Sequence, residues 1–212
     1  MQWFKLALFP LCLTPLALLA VDAYRDNLGA NPIEVITHST GTWTLVFLLI
    51  TLSITPLRRM TGVNALIKVR RMLGLFAFFY ASLHFMTYFW LDQFFDWPAI
   101  VKDVIKRPFI TVGFTAFMLL LPLALTSTNG MMKRLGGRRW QLLHRLVYVI
   151  AIGGVVHYLW LVKKDITQPL IYAAVLALLL GYRIFHRLRS PAARPKVSGL
   201  SPQATTPQTT RA

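Results

Sequence analysis

Residues 141–162 read QLLHRLVYVIAIGGVVHYLWLV. The stretch holds one charge, Arg145, near its start, and two histidines, His144 and His157, near opposite ends. Nearly everything else in it is aliphatic or aromatic, and a helix needs about 20 such residues to cross a bilayer. Further apolar blocks lie at 3–20, 42–57, 72–91, 109–127 and 169–186. Block 42–57 is short and threonine-rich, and so the least marked. Only helices and closed barrels span membranes, and these blocks lack the alternation of barrel strands. The expectation is an all-α integral membrane protein, a six-helix transmembrane bundle over 1–189. Residues 190–212, rich in Pro, Ser and Thr, are expected to form a disordered cytoplasmic tail.

Composition agrees with this reading. The chain is 56% hydrophobic and 14% charged, against about 25% charged in a soluble domain. Lys5 precedes the first block, but no small-x-small cleavage site follows it, so the block is expected to be an uncleaved span. Pro10 and Pro15 would kink it, which membrane helices tolerate. Cys12 is the single cysteine, which excludes an intrachain disulfide.

The net charge of +16 is unevenly distributed. With the N-terminus in the cytoplasm, that side receives 17 basic residues and no acidic one. The far side receives Arg25, Lys102, Lys106, Arg107, Lys163 and Lys164 with all seven acidic residues. The positive-inside rule then gives an N-in, C-in topology. The basic loops 58–71 and 128–140 orient the chain and meet anionic lipid. Nucleic acid is a poor partner, because no basic-aromatic domain stands outside the membrane. The outer connections are read as a turn-rich loop at 21–41, a longer one at 92–108 that holds a short interfacial helix, and 163–168.

The histidines carry the chemistry. His84 lies 12 residues into the block that starts at 72, and His157 lies 16 into the block that starts at 141. At about 1.5 Å per residue both stand roughly 18–24 Å from the inner end, in the outer half. Two membrane histidines at one depth on different helices can ligate one metal from opposite sides, as a b-type haem is held. His144 belongs to the inner half, about 140° around an ideal helix from His157. It is a separate candidate, for a second haem or a quinone-side contact. Gly153 and Gly154 precede His157 by about one turn, and either admit a flat macrocycle or permit close helix packing. Tyr80, Tyr88 and Trp160 are expected mainly as core and interface aromatics. His38 is expected in an outer loop and His186 at an inner helix end. No HExxH or CxxC supports a zinc hydrolase.

Several stretches match a known pattern. They include GANP at 29–32, HSTG at 38–41, ITPLRR at 54–59, RRMLGL at 70–75 and LH at 83–84. RPFITVG at 107–113, LTSTNGMMKRLGGRRWQLLHRLVY at 125–148, HYLW at 157–160 and QPLIYA at 168–173 follow in order. On these the chain resembles the haem-binding membrane subunits of bacterial periplasmic methionine sulfoxide reductase systems, within the ferric-reductase-like transmembrane group. The resemblance implies haem b on His84, His144 and His157, and FMN at a site no motif identifies. It implies a multi-pass protein of the bacterial inner membrane. Electrons would pass from quinone or a flavin reductase to a periplasmic molybdopterin-dependent catalytic subunit, with which the chain would form a heterodimer. The alternatives are a proton-coupled transporter with a histidine relay, and a structural anchor whose histidines only hydrogen-bond. A relay transporter usually shows carboxylates at mid-membrane, and none falls well inside a block here.

Overall fold

The computed structural model describes residues 2–162 and 165–189, and they are helical almost throughout. Helices α1 (Gln2–Tyr24), α2 (Pro32–Thr61), α3 (Ala65–Met86), α4 (Trp97–Lys106) and α5 (Pro108–Leu125) come first. Then follow α6 (Asn129–Leu135), α7 (Gly137–His144), α8 (Leu146–Leu161) and α9 (Thr167–Arg189). A π-helical turn, Thr87–Asp92, extends α3. Six segments are long and apolar enough to cross a membrane: 3–24, 32–61, 65–92, 108–125, 137–161 and 167–189. The expected tail 190–212 lies outside the described residues.

Local sequence explains where the helices begin and end. Asn31 caps α2 by accepting from the Glu34 amide at 3.3 Å, and Pro32 takes the first position, where a missing N–H costs nothing. Asp96 caps the amphipathic α4 in the same way through Ala99, at 3.1 Å. Gly62 ends α2 at φ +72°, in the left-handed region that favours glycine.

Two differences from the expected layout have physical causes. The connection at 21–41 is mostly helix, because α2 starts at Pro32 and runs for 30 residues. Thr40 and Thr44 are no obstacle: the first donates to the Ile36 carbonyl at 2.8 Å and the second to the Thr40 carbonyl at 2.9 Å. Each hydroxyl is thus satisfied within its own helix. His38 therefore stands on α2, half exposed, 3.9 Å from Glu34 one turn back. The basic loop 58–71 shrinks likewise to the three residues between α2 and α3.

The centre of the bundle is α2. It packs most extensively on α3 and also touches α1, α8 and α9, while α5 pairs with α8. Leu45, Phe47, Leu48, Leu49 and Leu52 of α2 are buried against Phe76, Ala77 and Tyr80 of α3. Phe47 stacks on Tyr80 at 5.2 Å and on Phe76 at 5.8 Å. The opposite faces of α1 and α9 leave Leu6, Leu11, Leu178 and Leu188 exposed, as lipid-facing surfaces do. The interhelix turns give the bundle one strongly basic end and one end of mixed charge that holds the acidic residues.

Tyr80 ties α1 to this core. Its hydroxyl donates to the Cys12 carbonyl at 2.9 Å and accepts from the Leu16 amide at 3.2 Å. In an unbroken helix that carbonyl and that amide would bond each other. Pro10 and Pro15 flank the inserted hydroxyl and already weaken the local ladder.

Candidate functional site

Helices α2, α3, α5 and α8 bring His84 and His157 together at the mixed-charge end. Their ring centres are 6.1 Å apart, with planes at 76°. Each ring is pinned by the helix that precedes its own span. Nδ1 of His84 lies 2.9 Å from the Thr37 carbonyl of α2. Nδ1 of His157 lies 2.6 Å from the Phe109 carbonyl of α5. A carbonyl oxygen only accepts, so both Nδ1 atoms carry the proton, and each neutral ring leaves the lone pair on Nε2. Metal-bound histidines are oriented in this way by an outer partner on the other nitrogen.

The same device occurs twice, and glycine makes it possible. Gly41 lies four residues after Thr37, and Gly113 four after Phe109. A Cβ at Gly41 would stand 3.0 Å from Cε1 and Nδ1 of His84. A Cβ at Gly113 would stand 2.7 Å from Nδ1 and 2.8 Å from Cε1 of His157. Only a residue without a side chain lets each imidazole lie against the neighbouring helix and reach its carbonyl. The hairpin α2–α3 and the pair α5–α8 thus repeat one pattern, a glycine helix followed by a histidine helix. No sequence repeat announces it. The legible signal was a glycine at histidine depth in the span before each histidine.

Gly153 and Gly154 face protein. A Cβ at Gly153 would meet Ala116 at 3.6 Å and Val112 at 3.7 Å, both of α5, and one at Gly154 would meet Leu45 of α2 at 3.5 Å. All are ordinary contacts, through which α8 lies close to both neighbours. Tyr80 sits in the core, and Trp160 is exposed. The Tyr88 hydroxyl is buried.

His144 stands apart from the pair. Around Arg145, between α7 and α8, the helix tightens, with the Arg145 amide bonding the Leu142 carbonyl and the Tyr148 amide the Arg145 carbonyl, and this turn shifts the angle to His157 from its ideal value. Nδ1 of His144 lies 3.0 Å from the Trp140 carbonyl, and the ring stacks on Trp140 at 3.8 Å. Its Nε2 is buried.

The donor set defines what the pair can hold. With a metal–imidazole distance of about 2 Å, and a ring nitrogen about 1.1 Å from its ring centre, two rings that ligate one metal from opposite sides have centres about 6.2 Å apart. The observed 6.1 Å is compatible with that spacing. Among the described residues, no group of three or more His, Cys, Asp or Glu gathers to hold a metal ion. A metal on His84 and His157 would therefore take its other ligands from a non-protein group, which is how haem iron is held. An apolar cavity of about 620 Å³, lined by Phe85, Phe89, Trp97, Val104, Phe114 and Met118, lies against α3, α4 and α5, and neither His84 nor His157 lines it.

Comparison with known proteins points the same way. The ferric reductase like transmembrane component family matches residues 39–155, from the first turns of α2 to just short of His157. The protein-methionine-sulfoxide reductase heme-binding subunit MsrQ of Herminiimonas arsenicoxydans is 61% identical over 183 residues, covering 85% of this chain and 84% of its own. The subunit of that name from Azospira oryzae is 58% identical, covering 87% and 80%. Its counterpart from Rhodospirillum rubrum is 50% identical, covering 93% of each. No solved structure matches. Identity at this level across nearly all the spans, with the family match through the central helices, means that the chain belongs to the MsrQ heme-binding subunits of the ferric-reductase-like transmembrane family.

Proposed function

We propose that His84 and His157 hold one haem b and that the chain is the electron-transfer subunit of a protein-methionine-sulfoxide reductase system. The observation that carries this is the paired arrangement: two imidazoles 6.1 Å apart, each with Nδ1 turned to a backbone carbonyl. The bound haem supplies a one-electron couple. The protein supplies the rest. The Thr37 and Phe109 carbonyls fix the tautomer and raise the basicity of Nε2. Gly41 and Gly113 set the ring positions.

The orientation is N-in and C-in, which puts the basic end in the cytoplasm of a bacterium and the pair on the periplasmic side of its inner membrane. Electrons enter at the basic end, from quinone or a flavin reductase. They leave beside His84 and His157, for a periplasmic molybdopterin-dependent catalytic subunit that repairs oxidised proteins and forms a heterodimer with this chain. FMN, implied by the family resemblance, belongs at the basic end, where an anionic cofactor is favoured. His144 serves that inner side, as a second ligand or a contact for the donor. No carboxylate stands at mid-membrane in any described span, so no observation favours the transporter.

His84→Ala and His157→Ala should each remove most of the low-spin haem signal of the purified protein. Normal six-coordinate spectra in both variants would sink the assignment. His144→Ala should keep that signal.

A further inference from the structure

The apolar cavity of about 620 Å³ is a second feature of the mixed-charge end, separate from the histidine pair. Its walls are α3 with the π-helical turn, the amphipathic α4, and α5. Aromatic contacts join these walls. Phe89 packs edge-on against Trp97 at 5.0 Å and Phe95 at 6.0 Å. Phe85 packs on Phe89 at 5.1 Å and on Phe114 of α5 at 6.1 Å. Helix α4 is pinned at both ends: Asp96 caps its start, and the Thr111 hydroxyl of α5 donates to the Val104 carbonyl near its finish. The turn that leads into α4 is strained. Phe94 and Phe95 stand at φ +46° and +60°, a region that bulky residues rarely adopt. This turn brings Phe95 onto the cavity lining.

The lining presents no polar surface. Water or a polar ligand would find no hydrogen-bond partner there, whereas a hydrocarbon chain needs none. The volume lies within the roughly 300–1,000 Å³ of ordinary ligand pockets. Met86, Val101 and Ile105 line the cavity and are exposed, so it opens on apolar surface. Phe89 and Ile100 line it too, but at 8% and 4% exposure they are closed off from that surface. Inside a bilayer the hydrophobic effect does not favour one chain over the lipid around it, so shape and a headgroup contact must select the occupant. Helix α4 offers that contact. At about 100° per residue, Lys102 follows Val101 and Ile105 around the helix, and Lys106 stands one turn further along. Asp103, the one carboxylate within α4, is paired with Arg107 at 3.4 Å. Among the described residues neither lysine has a carboxylate partner.

We propose that this cavity is a lipid site. It takes one acyl chain of an anionic phospholipid from the leaflet at the mixed-charge end, and Lys102 and Lys106 meet the headgroup phosphate. Lysines on the polar face of an interfacial helix recognise anionic lipid in this way, while the apolar face covers the chain. The site stands whether or not His84 and His157 hold haem.

The test uses full-length protein in nanodiscs of phosphatidylcholine that contain a little phosphatidylglycerol with a photoreactive diazirine near the end of one chain. After irradiation, adducts are mapped by mass spectrometry. The chain end should label Phe89 or Ile100, which bulk lipid does not reach. Adducts on Leu178, exposed on α9, measure ordinary lipid contact. The same diazirine chain on phosphatidylcholine should label Leu178 equally and the cavity much less, a comparison that needs no variant. Val104→Trp, which fills the cavity, should lose most of the Phe89 and Ile100 adducts and keep those on Leu178. Lys102→Gln/Lys106→Gln should lose the preference for phosphatidylglycerol. Leu178 labelled with Phe89 and Ile100 bare would overturn the proposal. So would cavity adducts that survive Val104→Trp, equal cavity labelling by the two headgroups, or a photoreactive prenyl chain that labels the cavity in preference to the acyl chain.

Discussion

At the scale of single residues, two glycines decide where the histidines stand. The contact at Gly113 is the tighter, with 2.7 Å from an added Cβ to Nδ1 of His157. Gly113→Ala should push the ring off the Phe109 carbonyl, with the roughly 1–3 kcal/mol cost of overpacking a filled site. The expected outcome is protein that still inserts but purifies with clearly less haem. Gly41→Ala, with 3.0 Å to His84, should do the same more weakly. Absorption at the Soret band per mole of protein measures both. Full occupancy in Gly113→Ala would show that the carbonyl contact is dispensable. Sequence reading found the histidines, because an imidazole in an apolar run is conspicuous. It turned to Gly153 and Gly154, neighbours of His157 along the chain, and passed over Gly41 and Gly113, its neighbours and those of His84 in space. The ring that each glycine faces comes from a different helix, and hydropathy says nothing about which helices pair.

At the scale of elements, Tyr80 shows how a helix with two prolines is kept in the bundle. Tyr80→Phe leaves the apolar contacts and removes the hydroxyl between the Cys12 carbonyl and the Leu16 amide. A loss of about 1–2 kcal/mol in unfolding free energy should follow, the usual consequence of disturbing buried backbone groups. Denaturant unfolding in detergent reads it, and unchanged stability would mean that α1 closes its own ladder. Hydropathy made the six spans legible. The true helix lengths were less so. Thr40 and Thr44 near the start of α2 bond to their own helix, and the basic stretch 128–140, read as a loop, is mostly helix capped by Thr128. Neither follows from composition, since both depend on where a polar group finds its partner.

At the scale of the whole molecule, charge separation sets the direction of use. With the basic end in the cytoplasm, a cysteine introduced at Arg138 should react with a membrane-impermeant maleimide only after the cells are opened. One introduced at Asp96 should react in permeabilised-outer-membrane cells with the inner membrane intact. The reverse pattern would invert the proposed electron path. The doubled glycine and histidine pattern also bears on biogenesis. Each half of the site is complete inside one pair of neighbouring helices, so the first half finishes its ring placement before the ribosome has made the second. Haem then acts as a clasp, closing two separately built pieces late in assembly. Residues 1–95 and 96–212 expressed as separate chains should therefore find each other in the membrane and purify together when haem is supplied, and fall apart when haem synthesis is blocked. Co-purification that ignores haem supply would mean that lipid-embedded packing alone holds the two pieces.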